Sequence, residues 1–304
     1  SGAAERLGLT DEELALACAS HTGEVVHVRT AAGMLAKVGL DATALECGAH
    51  WPSLDTATRA LAAGGREPTA LHNNCSGKHS GFLCLACALP SSGVDLRQYV
   101  KGYVNPDHPV MREVTAALQA VTGFDPNSAP RGTDGCSIPT YGIALRRLAL
   151  AFARVGVGVG LREGHARAAQ RLRRAIANAP FMVAGSGRFD TRVMQQLGER
   201  VCCKVGAEGE HCATLPERGL GVAIKIDDGN TRAAEVALAT VIGACLLLSD
   251  RDDQALQAWG HPKLRKWNGI DVGLLRAAPR RARRAPHDHH HRSALDRRIG
   301  IPWS

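Results

Sequence analysis

The sequence predicts an α+β chain. Helical patterns with recognisable caps fill most of its first 180 residues. Strand-like alternation comes late and in short pieces, around 201–205 and 219–227. Another long apolar helix pattern follows over 231–248. Helices segregated from a small antiparallel sheet define that class.

Each element has its own reason. Thr10-Asp11-Glu12-Glu13 offers a capping Thr and an acidic first turn to the helix LALACAS. A second helix is expected over 24–38, ending before Gly39, and a short helical turn over 41–47. Residues 54–63 read as a helix stopped by Gly64-Gly65. The stretch 71–88 opens polar and turns apolar at Gly81, a loop feeding a helix that Pro90 stops. His108-Pro109 begins a helix reaching residue 122, and 123–137 form a Gly/Pro/Asn/Asp loop. Two more helices are expected over 141–155 and 164–178. After the two strands, Asp227-Asp228-Gly229-Asn230 reads as a hairpin-type turn. Residues 277–304 are Arg/His/Pro-rich without periodicity, so a domain over 1–276 with a basic, disordered tail is expected.

Composition narrows the function classes. A chain of 304 residues that is 45% apolar can bury a sizeable core, packed with Ala, Val and Leu because aromatics are only 4%. Eight arginines between 276 and 298 face only Asp288 and Asp296, so this stretch carries +6 of the net +8. The basic charge belongs to the tail, and no nucleic-acid partner is expected. Of the ten cysteines, Cys18, Cys84, Cys87 and Cys245 sit in apolar helical settings and read as small buried hydrophobes. A cytoplasmic location follows. No apolar run approaches the about 20 residues that span a bilayer, so no membrane partner is expected.

Five clusters could carry chemistry. In 72–80, HNNCSGKHS, donors and acceptors crowd a loop-to-helix junction whose free N–H groups suit an anion. The plainer reading is an ordinary helix cap. In 131–139, glycines allow close backbone approach, and Asp134 and Cys136 lie two apart. A turn with an Asx bond explains that segment as well. Cys75 and Cys136 could share a zinc ion, though two isolated cysteines fall short of a paired CxxC motif. Lys204, followed by Gly206, places an amine on a strand where partial burial could make it a base or a serine's partner. Gly185-Ser186-Gly187-Arg188 is a tight loop bearing a charge, and Ser20-His21 ends the first capped helix.

Taken together, ACASHTGE at 17–24, ECGAHWP at 46–52, HNNCSGKHSGFL at 72–83, GTDGCSIP at 132–139, GSGRFDT at 185–191 and KVGAEG at 204–209 resemble, in that order, the bacterial class 3, asparaginase II-type L-asparaginases. The resemblance implies a serine β-lactamase/glutaminase-like fold, with an antiparallel sheet and a helical subdomain. It implies hydrolysis of the L-asparagine side-chain amide by Ser/Lys pairs. Ser20 matches the family's second reactive serine and Lys204 its partner lysine. Cys75, Lys78 and Cys136 match the ligands of a zinc ion, and Asp134 the acid beside the second thiolate. Asn73, Asn74, Asp134 and Arg188 are the expected substrate-binding residues. Family members are often dimers, and a homodimer is the assembly the resemblance allows. The family also carries an upstream strand pair and a Ser-x-x-Lys motif, and no Ser-x-x-Lys occurs in these 304 residues. The expectation is therefore an asparaginase lacking its N-terminal end, with a catalytically impaired fragment that keeps zinc or amino-acid binding as the alternative. A glutaminase or peptidoglycan-active serine enzyme of the same fold is the third reading, disfavoured by the complete HNNCSGKH segment.

Overall fold

A computed structural model describes residues 2–89 and 94–278. After one helical turn, α1 (Gly2–Arg6), helix α2 (Asp11–Ala17) begins at a complete capping box. Thr10 Oγ1 accepts the Glu13 N–H at 3.3 Å, and Glu13 Oε2 accepts the Thr10 N–H at 2.8 Å. Then come α3 (Val25–Ala36), α4 (Asp55–Ala63), α5 (Ser76–Ala86), α6 (Leu96–Tyr99) and α7 (Pro109–Thr122). Pro109 sits in the first turn of α7 and Gly123 closes it in the left-handed conformation, the usual asymmetry of helix ends.

The segment expected as pure loop holds a small hairpin, β1 (Arg131–Thr133) with β2 (Pro139–Tyr141). Helices α8 (Leu145–Val157), α9 (Glu163–Asn178), α10 (Pro180–Ala184) and α11 (Phe189–Leu197) follow. Strands β3 (Cys202–Val205), β4 (Glu210–Leu215) and β5 (Leu220–Lys225) make an antiparallel sheet in that order. Helices α12 (Thr231–Cys245) and α13 (Asp250–Gly260) and a last hairpin, β6 (Lys263–Arg265) with β7 (Asp271–Leu274), complete the described chain. The turn expected to make a hairpin at 227–230 instead leads β5 into α12, where Asn230 caps the helix by accepting the Ala233 N–H. The basic tail from residue 279 onward lies outside the described residues.

Strand alternation divides the sheet into two faces. Lys204 is paired with Cys212 and Val205 with His211. Lys204 and Thr214 therefore share one face, and Cys203, Val205 and His211 the other. Helix α8 lies on the first face, so close that a Cβ on Gly221 would collide with the Ala149 carbonyl. Helix α11 lies on the second, where the Phe189 and His211 rings meet at 5.4 Å. The chain is thus a mixed α and β structure with small antiparallel sheets.

Two apolar clusters form the core. One joins α2, α11, α12 and the sheet through Leu16, Val193, Ala213 and Leu238, among others. The other gathers Leu35, Leu83, Tyr103 and Met111 under α3, α5 and α7. Among the described residues, no helix is long and apolar enough to cross a membrane.

Candidate active site

A cleft of about 690 Å³ opens where the two cores meet. It gathers residues from segments far apart in sequence, including Ser20, Asn74, Cys75, Lys78, Asp134, Cys136, Arg188 and Lys204. Close backbone contact makes this possible. A Cβ on Gly77 would collide with the Leu16 carbonyl, so glycine lets α5 press onto α2. The Ser20 N–H then bonds Val183 O, and the His21 N–H bonds Asn74 O, each at 3.0 Å.

Ser20 lies just beyond α2, and Lys204 reaches it from β3 with Nζ donating to Ser20 Oγ at 2.8 Å. Lys204 Nζ also donates to Val205 O at 2.5 Å. Burial lowers the lysine pKa, opposed by the charges of Asp190 and Cys75. A buried amine of lowered pKa beside a hydroxyl is the arrangement that lets a lysine act as a base.

His21 fixes the serine turn from behind. Its Nδ1 accepts the Gly23 N–H at 3.1 Å, so its proton sits on Nε2, which donates to Ser76 Oγ at 3.0 Å. Burial first, then the nearby His27, His50 and His72, lower its pKa to about 3. His21 is therefore a neutral brace.

The second group lies on α5 and the β1–β2 loop. Lys78 Nζ is 3.0 Å from Cys136 Sγ and 3.6 Å from Asp134 Oδ2. Asp134 holds the Cys136 thiol at 3.1 Å and caps its own turn, accepting the Cys136 and Ile138 N–H groups at 3.0 and 3.1 Å. Interaction with the Cys136 thiol, then the charge of Lys78, outweigh burial and lower Cys75 to about 6. The same interaction, with burial, pushes the Cys136 thiol up. Burial disfavours charge on Lys78, but Cys75, Cys136 and Asp134 together raise its pKa. Two thiols and an amine are a soft donor set that fits zinc, and the amine would have to surrender a proton to ligate.

The structure brings the sequence-expected residues to one cleft but gives them unequal freedom. Asn73 is buried and its amide is engaged, donating to Cys47 O and Gly48 O at 2.8 and 3.1 Å and accepting the Cys75 N–H at 2.8 Å. It braces the loop. Asn74 donates its backbone N–H to His50 Nε2 at 3.0 Å. The side chain of Arg188, the residue before α11, enters the cleft and makes no hydrogen bond or ion pair among the described residues, while its backbone carbonyl accepts the Arg192 N–H at 3.1 Å. Its loop is tied down by Glu24, which accepts the Ser186 N–H and O–H at 2.8 Å each and the Thr22 O–H at 2.7 Å. Gly185 adopts φ 101°, and a Cβ there would collide with Thr22 Oγ1.

Sequence reasoning missed His50, Glu24 and the pair of Asp190 and His211. The wider motifs ECGAHWP, ASHTGE and GSGRFDT contained the first two and Asp190, but nothing local marked their partners. Among the described residues, Asp190, Cys203 and His211 bring three donor atoms within 4.8 Å of one another. Asp190 accepts His211 Nε2 at 2.6 Å and the Val205 N–H at 2.9 Å, so Asp190 and His211 form a hydrogen-bonded pair.

No curated protein matches the chain. A family model described as L-asparaginase II matches residues 1–277, which takes in every cleft residue named above. The chain belongs to the L-asparaginase II family.

Proposed function

We propose that this chain hydrolyses the side-chain amide of L-asparagine to L-aspartate and ammonia, with Ser20 and Lys204 as its proton-transfer pair. Family membership supports an asparaginase-type amidohydrolase. The observation that carries the finer reading is the 2.8 Å contact between the buried Lys204 amine and Ser20 Oγ in a cleft that also holds Arg188. Neutral Lys204 accepts the Ser20 proton as the Ser20 oxygen draws a proton from an attacking water, whose oxygen bonds to the side-chain amide carbon as the C–N bond breaks. Lys204 then returns a proton to the leaving amide nitrogen, which departs as ammonia. The unpaired Arg188 guanidinium suits the substrate carboxylate, and Asn74 and Asp134 border the same space. Cys75, Lys78 and Cys136 would hold zinc, a fixed positive charge that helps place the substrate when bound. The described cysteines are all free, in keeping with a cytoplasmic home. We extend the reading to the fold: the sheet β3–β5 between its helix layers fits a serine β-lactamase/glutaminase-like architecture.

A second reading is a chain that binds zinc or an amino acid without catalysis, since Cys75, Lys78 and Cys136 line the same cleft as a group separate from Ser20 and Lys204. Ammonia release from L-asparagine decides between them. Release that disappears in both Ser20→Ala and Lys204→Met supports the enzyme. Zinc or asparagine binding with no release of ammonia supports the second reading. Faster release from L-glutamine would redirect the substrate assignment.

A further inference from the structure

The buried carboxylate of Asp190 has no part in the chemistry above, yet it joins three elements that the cleft depends on. It lies in the first turn of α11, two residues after the cleft residue Arg188. One oxygen accepts the N–H of Val205, the residue that follows Lys204 on β3, at 2.9 Å. The other accepts His211 Nε2 on β4 at 2.6 Å. Asp190 is 2% exposed and His211 fully buried, with His211 Nδ1 left unpartnered.

We propose that Asp190 is a positioning residue for Lys204: it fixes the end of β3 against the Arg188 helix and supplies the buried negative charge that supports Lys204 when it is protonated. This inference rests on the proton-transfer reading of Lys204. Asp190 is also the largest of the charges acting on Lys204. The Val205 N–H and His211 Nε2 satisfy the carboxylate's hydrogen bonds, and its negative charge stays buried among them. A protonated Lys204 lowers the cost of that burial, so the pair favours a lysine that gains and loses a proton within one turnover. The other groups acting on Lys204 are Cys75, just before α5, Lys78 on α5, Cys18 beyond α2, and Cys202, Cys203 and Cys212 on the strands. Cys75 adds a second, smaller negative influence that the positive Lys78 opposes, and burial drives the other four thiols toward their neutral forms.

Asp190→Asn separates the two contributions. An amide can still accept the Val205 N–H and can donate to His211 Nε2, because the unpartnered Nδ1 is able to carry the ring proton instead. The variant therefore keeps the fold and loses only the charge. Two readouts are needed. The first is the rate of Lys204 acylation by acetic anhydride across pH, read by peptide mass spectrometry. It requires no asparaginase activity. The midpoint is expected to fall by about one pH unit in Asp190→Asn. The second is ammonia release, whose kcat/KM profile should shift its acid limb down by the same amount, with kcat reduced at least about tenfold. A shifted labelling midpoint in a chain that releases no ammonia would uphold Asp190 and sink the proposed reaction. An unmoved midpoint in a folded Asp190→Asn protein would overturn the inference, whatever the activity.

Discussion

At the scale of single residues, the site depends on which polar groups are free and which are spent. Ser20, Lys204 and Arg188 keep functional atoms toward the cleft, whereas Asn73 and His21 hold loops in place. Lys204→Met is expected to lower the rate of ammonia release at least about a hundredfold, because no neighbouring base replaces the amine; near-normal turnover would remove Lys204 from the chemistry. Cys75→Ser and Cys136→Ser are each expected to abolish zinc retention after gel filtration, measured by elemental analysis, while the unmodified chain keeps a single ion. Much of this was legible in the sequence. The ordered motifs named Ser20, Cys75, Lys78, Asp134, Cys136, Arg188 and Lys204, and these residues line one cleft. Glu24 and Asp190 were not legible, because their importance lies in partners 162 and 21 positions away. Burial and long-range pairing have no local signature.

At the scale of elements, caps and stops were readable and central packing was not. The capping box at Thr10, the Pro109 start and the Gly123 stop fell where they were expected. Thr10→Ala should cost about 1 kcal/mol of stability in chemical denaturation, with no change in the cleft. Strand β4 went unread because it is central and nearly all buried, so EHCATL shows no clear alternation. Helix α11 lacks a side-chain cap and hides behind a Gly-rich loop. Helix α13 could have been found, since Ser249 and the acids at 250, 252 and 253 are a sound N-terminal signature. Gly77 shows how an element contact becomes a functional one. Gly77→Ala forces α5 away from α2, and about 1–3 kcal/mol of destabilisation is expected. Because that contact also sets Ser20 beside the α5 cluster, activity should fall further than stability does.

Across the whole molecule, three buried or half-buried histidines behind the cleft make the fold sensitive to acid. His21, His27 and His72 each use Nδ1 to accept a backbone N–H, at 3.1, 3.2 and 3.0 Å. A protonated ring would turn that acceptor into a second donor. Burial lowers all three below the ordinary value of 6.5, His21 to about 3. Their stabilising effect is therefore complete above about pH 6.5 and is lost as the pH falls toward their folded-state values. Glu235, raised by burial, acts in the opposite direction and offsets part of the loss. The thermal midpoint is expected to drop between pH 7 and pH 5, a window above the titration of most carboxylates, and His21→Gln should flatten the slope. A midpoint that stays level over that window would contradict this account.

The loop at His50 and Trp51 gives the cleft an optical handle. His50 lines the cleft and donates from Nδ1 to Trp51 O at 2.7 Å, and the Trp51 indole stands 40% exposed beside it. Of the other two tryptophans among the described residues, Trp259 packs against Phe189 and Trp267 lies on the last hairpin, and neither lines the cleft. A ligand that settles against His50 and Asn74 changes the polarity around one indole in particular. Occupancy should thus register as a change in intrinsic emission that vanishes in Trp51→Phe, so that titration with asparagine or aspartate can be followed by fluorescence even where no product is formed.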